Sequence, residues 1–192
     1  MLTTMQYSKE TLIEIIRQHA LRFGDFTLAS GKKGTYYLDC RHVTLHPQGI
    51  NQIACGIFDA ITTEYADNVP DCVGGMAIGA DPITAGVVMI AGQRGLSTLG
   101  FMVRKEAKQH GMGRLVEGPV HPGMKAIIVE DVVTSGGSAL QAVRAAQDFG
   151  LQVLGVVAVI DRLEGGRSAF EAAGLSLTTL LTIEDFGIPK PA

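Results

Sequence analysis

The chain has few of the features that would mark a secreted, membrane-bound or nucleic-acid-coating protein. Its three cysteines, Cys40, Cys55 and Cys72, are odd in number and show no C-x-x-C spacing, which excludes a disulfide framework and a zinc site. A reducing compartment follows, with the cytoplasm as the expected location. No apolar run approaches ~18 residues, and the opening MLTTMQYSKETLIEI lacks a basic start followed by an unbroken apolar stretch. Neither membrane spanning nor secretion is expected. The net charge is −3, the pI is near 5.9, and no block of like charges suggests a tail or a nucleic-acid surface. The Walker A pattern G-x-x-x-x-G-K-[ST] is absent, the central turn carries no G-x-G-x-x-G, and no internal repeat or low-complexity stretch occurs.

What remains is a chain of 192 residues, 46% hydrophobic and 18% charged, sized for one domain with a substantial core. Its centre is AIIVEDVVTSGGSA, residues 126–139. The apolar run Ala126-Ile127-Ile128-Val129 predicts a parallel strand covered on both faces. Glu130 and Asp131 follow, placed by this reading at the strand's carboxyl end, where open α/β sheets bind ligands. Their acceptor-only oxygens suit sugar hydroxyls. Thr134-Ser135-Gly136-Gly137-Ser138 then forms a small-residue turn, with a helix opening near Ser138. Glycines let backbone N–H groups converge, and the helix contributes the positive end of its dipole, so the turn is a candidate phosphate cradle. An ordinary glycine-rich strand-to-helix turn would share the TSGGS pattern; the preceding acid pair is what sets this one apart.

The rest of the chain predicts a surround for that turn. A helix is expected at about 8–22, then two β-like pieces within Phe26–Asp39 around Ser30-Gly31-Lys32-Lys33-Gly34. Phe26, Tyr36 and Tyr37 fall in that piece, beside basic turn residues that could neutralise an anionic heterocycle. Pro47 opens a helix to about Glu64. Residues 72–82 read as a strand, a glycine-rich turn, an N-capping Asp81 and Pro82 at the start of a helix to Gln93. After a strand at 97–103, residues 104–114 hold Arg104, Lys105, Lys108 and Arg114 against Glu106 alone, a local charge of +3 that leaves −6 for the remainder. That segment is expected to be a mobile binding loop or lid. A helix to Gly150, a strand over 151–160, Asp161-Arg162 at its end, a short helix to Ala173 and a strand at about 176–182 complete the chain. The alternation predicts an α/β fold: a doubly wound, mainly parallel sheet with a small N-terminal hood. Residues 1–192 then form a single domain, with about 1–45 and the C-terminal segment as the hood.

Three motifs carry a resemblance over essentially the whole chain: FTLASGKKGTYY, RKEAKQHG and VEDVVTSGGSA followed by DRLEG. The third resembles the phosphoribosyl-diphosphate (PRPP) signature of type I phosphoribosyltransferases, and the second resembles the loop of the orotate phosphoribosyltransferases in particular. The resemblance implies transfer of phosphoribose from PRPP to orotate, with Mg²⁺ as cofactor held mainly through PRPP and water and with no direct protein ligand. It also implies a homodimer in which the basic loop closes over the neighbouring subunit's site. Arg104, Lys105, Lys108 and His110 would act on the diphosphate end, with Lys108 the residue most tied to turnover. Glu130 and Asp131 would hold the ribose hydroxyls, while Val132, Val133, Thr134, Ser135, Gly136, Gly137 and Ser138 cradle the 5′-phosphate. Arg162 matches an orotate-carboxylate arginine, Thr134 an orotate contact, and Tyr37 a ring-flanking aromatic.

The chain departs from the family pattern at Ala29 and Gly79, where some members carry lysine, and at Leu38, where the second aromatic is expected. Lys32, Lys33 and Arg41 are the candidate replacements. A purine phosphoribosyltransferase would share the central motif but not RKEAKQHG or the FTLASG hairpin. A PRPP-sensing regulator would need a basic face or an added DNA-binding helix pair. A degenerate paralogue that binds without turnover is the reading Ala29 and Gly79 would favour. The length leaves no room for a fused barrel-sized decarboxylase, so transfer alone is expected.

Overall fold

A computed structural model describes residues 6–27, 33–106 and 115–191, with the side chains of Thr27 and Lys33 outside the description. Helix α1, Lys9–His19, is capped by Ser8, whose hydroxyl accepts the Thr11 N–H, and it buries Leu12, Ile15 and Ile16 at helical spacing. The chain turns directly into β1, Leu21–Thr27, which pairs antiparallel with β2, Lys33–Leu38, through an irregularity between Phe23 and Phe26. This hairpin begins earlier than the sequence suggests. A one-turn helix α2, Arg41–Thr44, was not predicted; it is too short for a periodic signal.

Helix α3, Pro47–Glu64, matches its expected bounds. Strand β3, Cys72–Met76, is wholly buried, and α4 runs Asp81–Gln93. Here the expectation for Asp81 is corrected. The cap position is Ala80 in a helical conformation with no side-chain cap bond, because Asp81 is already inside the first turn. β4, Leu99–Val103, is followed by the short β5, Val116–Glu117, then β6, Lys125–Val133, α5, Gly137–Phe149, β7, Gln152–Asp161, α6, Gly166–Ala172, and β8, Ser176–Thr182. A 3₁₀ turn at Ile183–Phe186 follows. β6 is longer than predicted, so Glu130 and Asp131 lie within its paired length and the ladder to β7 continues to Val133 opposite Asp161.

The main sheet has the order β5-β4-β3-β6-β7-β8, parallel except at β5. Alternate β6 residues feed opposite faces. Ile127 and Val129 join a cluster with α1, α3 and α4, whereas Ala126 and Ile128 join one with α5 and Phe170 of α6. Both faces are therefore covered, which explains a continuous apolar run in place of an alternating one. The two-stranded hairpin is a separate sheet. α1 is tied to the chain's end by a Lys9–Asp185 ion pair of 2.8 Å and an Arg17 hydrogen bond to the Asp185 carbonyl. Against burial, which pushes it up, the Lys9 bond and the Thr182 N–H hold the Asp185 carboxyl below its usual range.

Candidate active site

The end of β6 builds one half of the site from neighbouring residues. Glu130 is buried and its Oε2 has no partner among the described residues, while Asp131 is half-buried and its Oδ1 accepts the Val132 N–H at 2.7 Å. Burial first, and then the charge of adjacent Asp131, pushes the Glu130 carboxyl up to about 8, against a lowering contact from Ser138. Gly136 then takes a left-handed φ of 80° and α5 begins at Gly137 without any side-chain cap bond. The first N–H groups of α5 are thus left for a ligand. A small cavity is lined here by Glu130, Val132, Thr134, Gly136 and Ser138 among others, and the turn residues Ser135, Gly137 and Ser138 are exposed.

The cradle is braced from behind. A side chain on Gly166 would overlap Val133 and come 2.8 Å from the Thr134 carbonyl oxygen, and one on Gly136 would meet the Phe170 ring at 3.1 Å. The start of α6 therefore packs against the back of the turn, and only glycine permits that approach. Two other segments come near Asp131, the β3–α4 turn and the residue ahead of α2. The β3–α4 turn brings Gly79, where a Cβ would stand 3.4 Å from the Asp131 oxygens. Cys40, ahead of α2, is buried and feels Asp131; desolvation first, then the charges of Asp131 and Asp39, push its thiol well above the usual range. Asp81, at the start of α4, has its carboxyl raised by burial and its Oδ1 unpartnered among the described residues.

The other half of the site is assembled across the fold. Arg162 follows β7, and its N–H donates to the Val133 carbonyl at 2.9 Å, which fixes it beside the cradle. Its Nε donates to the Tyr36 hydroxyl at 2.9 Å, its Nη2 lies 2.7 Å from Glu164 Oε1, and its guanidinium stands 5.0 Å from the centre of the Tyr36 ring. Asp161, fully buried, accepts the Leu163 N–H at 2.8 Å and spans a turn in which Leu163 has φ 59°.

The aromatic that meets Arg162 is thus Tyr36. Tyr37, the ring-flanking aromatic of the sequence reading, is exposed, with its ring 5.8 Å from that of Phe26. Strand alternation carried that signal, because Tyr36 and Leu38 pack towards the core and Tyr37 must then face away. Arg41 is engaged with Asp39, through Nε to Oδ1 at 2.8 Å and Nη2 to Oδ2 at 2.6 Å, and those bonds hold Asp39 below the ordinary carboxylate range.

In the basic segment, Arg104 and Lys105 are exposed. The Arg104 N–H donates to Leu115, and Ala77 N–H donates to Val103, which sets the root of this segment beside the β3–α4 turn. Lys108 and His110, like Ala29 and Lys32, lie outside the described residues.

No family model matches the chain. An orotate phosphoribosyltransferase of Rhodopirellula baltica is 58% identical over 179 residues, which cover 92% of this chain and 93% of the relative. A crystal structure of Mycobacterium tuberculosis orotate phosphoribosyltransferase with Fe(III) dicitrate superposes with a TM-score of 0.81 at 38% identity, covering 94% of this chain and 99% of that one. The same enzyme in complex with PRPP gives a TM-score of 0.78 at 34% identity, covering 94% of this chain and 99% of that one. An acid pair above a capless helix start, an arginine fixed beside it and relatives of this closeness over nearly the full length place the chain in the orotate phosphoribosyltransferase family.

Proposed function

We propose that the chain transfers the 5-phosphoribosyl group of PRPP to orotate, giving orotidine 5′-monophosphate and diphosphate in pyrimidine biosynthesis. The observation that supports this reading is the backbone bond from Arg162 to Val133, which holds the arginine beside the end of β6 and the glycine-rich turn that follows it. Glu130 and Asp131 accept the ribose hydroxyls, and residues 132–138 receive the 5′-phosphate through backbone N–H groups and hydroxyls. Arg162 takes the orotate carboxylate, a task suited to a planar two-pronged donor.

In the reaction, N1 of orotate bonds to C1 of ribose and gives up its proton, while the C1–O bond breaks and diphosphate leaves with the electron pair. Positive charge develops on the sugar and negative charge on the leaving group, so catalysis rests on positioning and countercharge. Arg104, Lys105, Lys108 and His110 supply cations for the diphosphate.

Mg²⁺ suits the donor set. Glu130 Oε2 is buried without a partner and Asp131 is half-open, whereas no cluster of three ligating side chains occurs among the described residues. Those two carboxylates would steady a hard cation held by substrate oxygens and water, and its charge would offset that of the diphosphate. The basic segment's four cations support a homodimer in which it reaches the neighbouring site, and three buried free cysteines support the cytoplasm.

The test follows ultraviolet loss of orotate with PRPP and Mg²⁺, beside uracil, adenine and hypoxanthine, and repeats it with Lys108→Ala. Loss of orotate alone, falling by about a hundredfold or more in the variant, is expected. PRPP binding without reaction of any base would overturn the catalytic reading in favour of a sensor.

A further inference from the structure

The guanidinium of Arg162 is oriented by two groups that no step of the transfer uses. A guanidinium has five N–H donors in a rigid plane and can grip a carboxylate by either of two forks. The Tyr36 hydroxyl takes Nε at 2.9 Å and Glu164 approaches Nη2 at 2.7 Å, so the inner fork, formed by Nε and Nη2, is engaged. Nη1 has no partner among the described residues. The Tyr36 ring, 5.0 Å away, covers one side of the plane, and the arginine side chain is only 20% exposed.

An arginine on a loop after a strand would ordinarily sample many rotamers and lose that freedom on binding. Here the hydroxyl sets the rotation about the side chain's end, and the ring sets the tilt of its plane. What stays open is Nη1 and the second N–H of Nη2, an outer pair that matches a planar carboxylate end-on.

Resting on the proposed transfer to orotate, we infer that Tyr36 is a positioning residue for Arg162: hydroxyl and ring together fix the guanidinium so that its outer fork selects a carboxylated pyrimidine. The hairpin thereby acts on acceptor choice without touching the reacting atoms. Tyr36 stands 126 positions from Arg162 in sequence, and no other side-chain bond joins the hairpin to the loop after β7 among the described residues.

Steady-state transfer by Tyr36→Phe tests the idea, because phenylalanine keeps the ring and deletes only the hydroxyl. The KM for orotate should rise about tenfold, the size of one lost hydrogen bond to a charged group, with the KM for PRPP within about twofold and kcat changed less than about threefold. The preference for orotate over uracil should fall by a similar factor. Tyr36→Phe made in an Arg162→Gln background should cost orotate nothing further, since Tyr36 acts only through the arginine. An unchanged orotate KM, an equal rise for PRPP and orotate, or an additive double variant would each overturn the role. If Tyr36→Phe does not fold, Glu164→Gln in the same two backgrounds gives the same reading of the engaged fork, and additivity there overturns it. Wild-type protein that transfers orotate while Tyr36→Phe behaves as wild type defeats this inference alone; wild-type protein inert towards orotate defeats the proposed function with it.

Discussion

The two halves of the cleft, which we assign to the phosphate and to the base, are made in different ways. From Glu130 to Ser138 the donors and acceptors are consecutive residues, held by a buried strand, a left-handed glycine and the start of a helix. The base side depends on side chains that meet only after folding, Tyr36 from the hairpin with Arg162 and Glu164 after β7. Backbone groups on a sheet have few ways to move, whereas a guanidinium needs neighbours to keep its direction. Damage to the first side should therefore appear as lost stability, and damage to the second as altered substrate preference.

The largest expected effect comes from Gly166→Ala. The new methyl would overlap Val133 and crowd the Thr134 carbonyl, with backbone on one side unable to yield. Thermal or denaturant unfolding should show a loss of about 3 kcal/mol, and PRPP binding should weaken sharply. If stability holds and only orotate binding suffers, the contrast between the two sides is wrong.

Next is Glu130→Gln, read across pH. The carboxyl is raised from 4.5 to about 8, chiefly by burial and then by Asp131. A raised folded value means that the proton favours folding: its contribution is full below about 4.5 and is lost as pH climbs through about 8. Glutamine has no proton to lose there. The variant's unfolding temperature should thus gain on wild type between pH 5 and pH 8.5, by the equivalent of about 4 kcal/mol, while PRPP affinity drops. A gap that stays constant with pH would show that Glu130 titrates normally.

The smallest effect is expected at Gly79. An added methyl would lie 3.4 Å from the Asp131 oxygens, at the edge of ordinary contact, and Gly79 has no positive φ to strain. Gly79→Ala should change stability by no more than about 0.5 kcal/mol and leave the KM for PRPP within about twofold. A large loss would place Gly79 among the close-packed glycines of the cradle.

The same division explains what could be read from the sequence. The acid pair, the small-residue turn and the helix after it are contiguous, and β-branched residues before them announce a covered strand, so this half was legible. The fold class followed from the alternation of apolar runs with helical periodicity. Three details were not available locally. β6 continues through Glu130 and Asp131 because β7 extends alongside it to Asp161, and a pairing partner is not visible in the strand's own composition. Asp81 resembles a cap because it precedes proline, yet the turn before it already supplies the helical conformation at Ala80. That Tyr36 is the tyrosine which reaches Arg162 turns on which face of the hairpin meets the core. Two adjacent tyrosines offer the same composition, and only the burial of Leu38 breaks the tie.

Among the described residues, the hairpin and the six-stranded sheet share no ladder of hydrogen bonds. A lineage could therefore rewrite the hairpin, in length or in side chains, without unpicking the strand that carries the proposed phosphate cradle. Donor recognition would pass on as inherited framework, while the taste for one nitrogenous acceptor over another could drift, or be engineered, by exchanging a short segment near the N-terminus together with its contacts to the loop after β7. Such separability would make the proposed phosphate grip a reusable chassis.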